Sequence, residues 1–240
     1  MGIDNGIATM IQPVLIVALC LASFGVSSET INDPYEALNR KSQNFNDTAD
    51  KRLMRPVAGL YSRFLPSPVR SCIGGFYGNL KDVGDALNNL LQGKPVEFLS
   101  DVVRVSINTS IGIGGIFNPA SSLGLNDHNE DFAQTLAKWG VPRGPYLVLP
   151  ILGPSSLRDV FTRPIGSIVD PLFYLRPIYH RNSLYSARLI DTRAELLGTE
   201  KVVFGDRYLF FRDAYIQSRR YLELDGQIVE DPFGAEFDDC

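Results

Sequence analysis

Ser67-Pro68-Val69-Arg70-Ser71-Cys72-Ile73-Gly74-Gly75-Phe76-Tyr77-Gly78-Asn79-Leu80-Lys81-Asp82-Val83-Gly84-Asp85-Ala86-Leu87-Asn88-Asn89-Leu90-Leu91-Gln92-Gly93 is the stretch that sets the fold class. Proline at the start is pre-organised for a first helical turn. Val69, Ile73, Phe76, Leu80, Val83, Leu87 and Leu90 then recur with the period of one helix face. Gly93 supplies the stop. Across residues 69–124 glycine accompanies the apolar residues, at Gly74-Gly75, Gly78, Gly84, Gly112, Gly114-Gly115 and Gly124. Small residues let helices approach closely, and membrane helices tolerate them better than soluble ones. Loops and tight core contacts use the same residues, so composition alone leaves both environments open. Neither helix of this region is long enough to span a bilayer unaided, which leaves helices lying in the membrane plane as the membrane alternative.

Moving outward, proline marks further helix starts. Asp33-Pro34-Tyr35-Glu36 predicts a cap, a first turn and an acidic third position. Tyr35, Leu38, Phe45, Ala49 and Leu53 follow at near-helical spacing, with Phe45 read as core. Pro95 opens a helix through Phe98, Val102, Val105 and Ile107. Asp127 or Asn129 is a candidate cap for a short helix ending at Trp139-Gly140, and Ser155 or Ser156 for the next. Two longer helices are expected at about 183–198 and 205–222, the second carrying Tyr208, Phe211, Tyr215 and Tyr221-Leu222. Strand signals are poor: no stretch alternates apolar and polar over a useful length, and Pro145 and Pro150 closely bracket Tyr146-Leu147-Val148-Leu149. The fold class is all-α in a single domain.

The chain has 240 residues, enough for one sizeable core, and 45% apolar with 21% charged residues is ordinary for a folded protein. A net charge of −4 without a basic run excludes a dedicated nucleic-acid binder. Val14-Leu15-Ile16-Val17-Ala18-Leu19-Cys20-Leu21-Ala22, followed by small residues and Ser27-Ser28-Glu29-Thr30, reads as the core and cleavage region of a secretory signal, although residues 1–13 carry no Lys or Arg. The expected division is a signal peptide over 1–28, or 1–19 with acylation of Cys20, a helical domain over 29–222 and an acidic tail over 223–240. Cys72 and Cys240 are a further pair that an oxidising compartment would allow.

Catalytic constellations are missing. There is no Gly-x-Ser-x-Gly elbow, no Gly-rich phosphate loop with Lys and no paired-Cys metal spacing. Gly112-Ile113-Gly114-Gly115 fails the dinucleotide pattern because Phe117 stands where the third glycine is needed. Asp127-His128-Asn129-Glu130-Asp131 is oxygen-rich but reads as a solvated loop and cap more readily than as a cation site. No enzyme, cofactor or metal is expected. The alternative is an envelope lipid hydrolase or acyltransferase using Ser155 or Ser156 with His128.

Several stretches jointly resemble the MlaA (VacJ) lipoproteins. Asp33-Pro34-Tyr35-Glu36-Ala37-Leu38-Asn39-Arg40 with Asn44-Phe45-Asn46 resembles their opening. Gly78-Asn79-Leu80, Asn88 through Gly93, and Ile111-Gly112-Ile113-Gly114-Gly115-Ile116-Phe117 continue it. The strongest block is Glu130-Asp131-Phe132-Ala133-Gln134-Thr135-Leu136-Ala137 with Trp139-Gly140-Val141, running on to Gly153-Pro154-Ser155-Ser156-Leu157-Arg158-Asp159. Ala133 and Ala137 replace glycines usual in that block. Asp206-Arg207-Tyr208 and Arg212-Asp213-Ala214-Tyr215 look like the last helix of the family. The likeness is collinear over roughly 33–222.

That resemblance implies a ring of helices in the inner leaflet of the outer membrane around a polar channel. It implies passage of stray outer-leaflet phospholipid toward the periplasm, beside a trimeric porin and on to a soluble periplasmic phospholipid-binding protein. A lipid headgroup needs polar contacts while the membrane accepts the tails, and charges within a membrane face a cavity or a partner. Asn39, Arg40, Asn44, Asn46, Asn79, Asn88 and Asn89 are the candidate polar path residues on this logic, followed by Arg104, Asn108, Arg158 and Asp159. Arg158 and Asp159 are equally readable as a buried ion pair, and an Asn at a helix end as a cap.

Overall fold

A computed structural model describes residues 33–198, 203 and 205–227. The signal segment, Cys20, Cys240 and most of the acidic tail lie outside the described residues. Helix α1 (Glu36–Ala49) runs through a π-helical turn (Asp50–Met54) into α2 (Arg55–Phe64). The long α3 (Ser67–Leu91) and α4 (Pro95–Ser110) form an antiparallel pair, followed by the single turn α5 (Pro119–Ser122) and the short α6 (Phe132–Lys138). A hairpin of β1 (Tyr146–Leu149) and β2 (Gly153–Ser156) leads into α7 (Leu157–Val169), a 3-10 turn (Pro171–Tyr174), α8 (Ile178–Glu195) and α9 (Arg207–Glu223).

The packing closes on itself. α2 lies against α8, α8 against α3, α3 against α6, α6 against α9, and α9 against β2, while β1 returns the circuit to α1. The all-α reading holds for every element but the hairpin, whose strands pair antiparallel from Tyr146 opposite Ser156 to Leu149 opposite Gly153. The prolines that argued against a strand lie just outside the paired residues of β1. Tertiary bonds hold the hairpin: Asn39 Nδ2 donates to the Tyr146 carbonyl and Asn39 Oδ1 accepts from Val148 N–H. Asn46 repeats the clasp with the Leu149 carbonyl and Ile151 N–H.

The protein is polar inside. The largest side chains buried to below 2% exposure are Asn39, Asn88, Asn89, Thr135, Asp85, Asp101, Asp159, Ser155 and Ser156. Phe64 (74% exposed), Val96 (73%) and Ile151 (72%) are among many large apolar residues on the outside. Phe45, expected in the core, is exposed, as are Val69 and Leu90 from the apolar face of α3. The apolar period marks a face that is half-buried along its middle, at Ile73, Phe76, Leu80, Val83 and Leu87, and exposed at its ends, while Asn79, Asp82, Asp85, Asn88 and Asn89 are among the buried residues of the helix. The only buried apolar cluster among the described residues is small: Tyr146, Val148 and Tyr208, with Leu209 and Tyr215 against it. No described helix is long and apolar enough to cross a membrane.

Three local expectations change, the first and third because tertiary polar partners outcompete local ones. Asp33 does not cap α1; it accepts from Asn39 Nδ2 at 2.9 Å and from the Tyr208 hydroxyl at 2.5 Å. Asp131, rather than Asp127 or Asn129, caps α6 by accepting from Gln134 N–H at 2.8 Å. Arg158 and Asp159 do not pair with each other: Arg158 binds Glu223, and Asp159 binds Arg219. Glu223 thereby ties the end of α9 to Arg143 and Arg158.

Close helix approach does use the glycines. A Cβ on Gly75 would sit 2.5 Å from the Gly115 carbonyl oxygen, and one on Gly115, whose φ is +91°, would sit 2.4 Å from Asn79 Cβ. Both clashes involve atoms that cannot swing away. Gly75→Ala is expected to lose about 1–3 kcal/mol through overpacking, read as an earlier thermal unfolding transition in detergent.

Candidate functional site

The inward polar faces of α3, α7, α8 and α9 and the start of α6 line a half-open cavity of about 370 Å³. α3 contributes Leu80, Lys81, Gly84, Asp85 and Asn88 to its wall. α7 contributes Asp159, Thr162, Arg163, Gly166 and Val169. Glu130, Asp131 and Phe132 enter from α6 and its approach, Asp170 from the end of α7, Arg188 from α8 and Arg219 from α9. Helical spacing explains the selection, since Lys81, Gly84, Asp85 and Asn88 recur at three and four residues, as do Asp159, Thr162, Arg163 and Gly166.

The wall is charged but largely internally paired. Lys81 Nζ lies 2.5 Å from Asp85 and Arg188 Nη1 2.8 Å from Asp170. Arg219 bonds Asp131 and lies 3.0 Å from Asp159, which also accepts from the Tyr215 hydroxyl. Burial alone would lower the Arg219 pKa, but Asp131 and Asp159 hold it raised. Burial pushes Tyr215 up, and the Asp159 charge adds to this. Burial also pushes the Asp85 carboxyl up to about 8, against the pull of Lys81, and moves Asp82 in the same direction against Arg104.

Those two carboxyls give a pH signature. A carboxyl raised by folding contributes stability that is complete below its unfolded pKa and is lost as pH rises through the folded one. Stability should therefore fall between the ordinary carboxylate pKa of 3.8 and about 8, and Asp85→Asn should flatten the fall in a series of thermal melts across that range.

The residues chosen from sequence divide by position. Asn88 and Asp159 line the cavity. Asn88 Nδ2 bonds the Gly84 carbonyl and its Oδ1 accepts from Thr135. Asn39 and Asn46 clasp the hairpin, and Arg40 lies over the Tyr208 ring while pairing with Glu36 and Asp206. Asn44 is exposed on α1. Asn79 bonds Thr109 beside Gly115, Asn89 bonds Asp101, and Asn108 binds Asn118 and Ala120 N–H. Arg104 bonds Asp82, Ser121 and the Leu125 carbonyl. Arg158 bonds the Val141 carbonyl besides Glu223. Lys81, Asp85, Thr162, Arg163, Arg188 and Arg219 escaped the sequence reading, although the i, i+3, i+4 polar series on α3 and α7 was a usable signal.

Asp82, Asp85 and Asp127 place carboxylate oxygens within 4.8 Å of one another. Arg104 bonds Asp82, and Lys81 bonds Asp85 and lies 3.9 Å from Asp127, so cations of the chain itself already answer these charges. Ser156 caps α7 by accepting from Asp159 N–H at 3.2 Å, and Ser155 contacts Arg163. His128 bonds Asp101 at 2.6 Å. No hydrogen bond joins either serine to that histidine among the described residues.

The MlaA lipoprotein family model matches residues 31–222. A Rickettsia bellii protein is 35% identical over 194 residues, which is 79% of this chain and 76% of that one. The intermembrane phospholipid transport system lipoprotein MlaA of Shigella flexneri is 31% identical over 216 residues, covering 86% of this chain and 84% of its own. A solved structure from work on the structural basis for maintenance of bacterial outer membrane lipid asymmetry superposes with a TM-score of 0.72 at 30% identity. It covers 80% of this chain and 98% of that one. With the family match running from before the first described helix to within the last, this chain belongs to the MlaA lipoprotein family.

Proposed function

We propose that this protein sits at the outer membrane, takes phospholipid from the outer leaflet through its polar cavity and passes it to a soluble periplasmic carrier, without covalent chemistry. The observation that carries this reading is the inverted polarity: a charge-lined cavity within a closed circuit of helices that buries amides and carboxylates and exposes many large apolar side chains. Large exposed apolar surfaces mark membrane or protein contacts, and hydrocarbon accepts such a surface without penalty. A headgroup inside the cavity meets fixed charges in place of water, while its acyl tails stay with the membrane. Acylation at Cys20 would hold the ring to the leaflet, and the apolar exterior offers a face for a trimeric porin.

The test is complementation. In a strain lacking the protein, phospholipid should accumulate in the outer leaflet, and restoring the full chain should clear it. An outer leaflet unaltered by the deletion would sink the proposal. The hydrolase reading makes a different demand, namely failure of complementation by Ser156→Ala or His128→Ala and release of lysophospholipid; the capping role of Ser156 and the Asp101 bond of His128 leave it without support.

A further inference from the structure

The headgroup itself can be read from the cavity, on the premise that the cavity passes phospholipid. Lys81, Arg188 and Arg219 each bond a carboxylate. Arg163 does not: its Nη2 contacts only the Pro154 carbonyl and the Ser155 hydroxyl, at 3.4 and 3.5 Å. Its charge and most of its donors are free for a phosphate, which guanidinium binds with paired N–H bonds. One turn earlier on α7, Asp159 spends Oδ2 on Tyr215 and Arg219, while Oδ1 is buried without a hydrogen-bond partner. Residues four apart on a helix are neighbours, so an uncommitted cation and a half-committed carboxylate stand side by side on the cavity wall. The carboxylate torsion has a broad, twofold profile, which leaves Asp159 freedom to turn that oxygen toward a bound group. Across the cavity, Asp85 bonds Lys81 through Oδ2.

We propose that the cavity prefers phospholipids whose headgroup ends in a primary ammonium, a phosphoethanolamine, with Arg163 on the phosphate and Asp159 on the ammonium. A primary ammonium donates three hydrogen bonds and satisfies the orphaned oxygen. A quaternary ammonium donates none and is held by cages of aromatic faces, whereas among the described residues Phe132 is the one aromatic lining this cavity. A glycerol headgroup brings no positive charge to Asp159.

The experiment is native mass spectrometry of the purified full-length protein with equimolar phosphatidylethanolamine, phosphatidylcholine and phosphatidylglycerol of matched chains. The expected result is about a tenfold preference for phosphatidylethanolamine, equivalent to about 1.4 kcal/mol. Asp159→Asn should abolish the preference. Arg163→Gln should weaken all three lipids alike, with partial recovery in Arg163→Lys. Because Asp159 also holds Arg219, Asp159→Glu serves as a second variant, and should retain the preference because it keeps the carboxylate. Equal occupancy by the three lipids, or a preference untouched in Asp159→Asn, overturns this inference and leaves the phospholipid reading standing. Binding of no phospholipid at all overturns the phospholipid reading itself, and free phosphoethanolamine outcompeting the lipid overturns the assignment to a lipid.

Discussion

Gly84→Phe and Gly166→Phe are expected to leave the protein folded and to raise outer-leaflet phospholipid to the level of a strain lacking it. Both glycines line the cavity, and a Cβ added at either meets no atom within 4 Å. Neither has a positive φ, so a side chain there brings no backbone strain. A helical glycine costs about 1 kcal/mol relative to alanine, so replacing it does not weaken the helix. The phenyl ring would instead intrude into the cavity of roughly 370 Å³ and present an apolar surface where a headgroup needs charge. Gly59→Phe on α2 is the control, because its Cβ position is equally open and it lies outside the cavity wall. That variant should complement like the unaltered chain. Full complementation by both cavity variants would mean that lipid does not use this space.

Arg104→Met is expected to be the most destabilising single change, by about 3–5 kcal/mol. Arg104 Nε holds Asp82 at 2.8 Å, with side-chain exposures of 6% and 3%, and Nη1 adds the Ser121 hydroxyl and the Leu125 carbonyl. Methionine keeps much of the volume but leaves a buried carboxylate uncompensated. The double variant Arg104→Met with Asp82→Leu removes both charges, and such replacements are often neutral. Most of the loss should therefore be regained, a coupling that denaturant melts of the four proteins in detergent measure directly. Equal stability of the single variant and the unaltered chain would show that Asp82 does not depend on Arg104.

The helices were legible because their signals are local. Pro68 and Pro95 sit at helix starts and Gly93 at a stop, and the 3.6-residue apolar period marks α3 correctly. The direction of that face was not legible, since the same period serves a helix buried in protein and one turned toward lipid. The polar stripe of Asn79, Asp82, Asp85 and Asn88 is what resolves it, because that many amides and carboxylates on one face must meet either water or one another. The hairpin was missed because Asn39 and Asn46, more than 100 residues away, satisfy its backbone. The cavity was only partly legible for a similar reason. Asn88 and Asp159 stood out in the family-like blocks, whereas Arg188 and Arg219 reach the wall from helices whose placement no local pattern announces.

The central claim is that a phospholipid headgroup travels inside the ring while its tails remain outside. Photoaffinity labelling tests it most directly, using two phospholipids that carry the reactive group either on the headgroup or at the end of an acyl chain, added to the full-length protein in membranes. The account predicts that the headgroup probe labels peptides from residues 80–88 and 159–166, which line the cavity, and that the chain probe labels the exposed apolar faces around Phe64, Val96 and Tyr179. Headgroup labelling confined to the exterior peptides, with the cavity peptides unmodified, would contradict it.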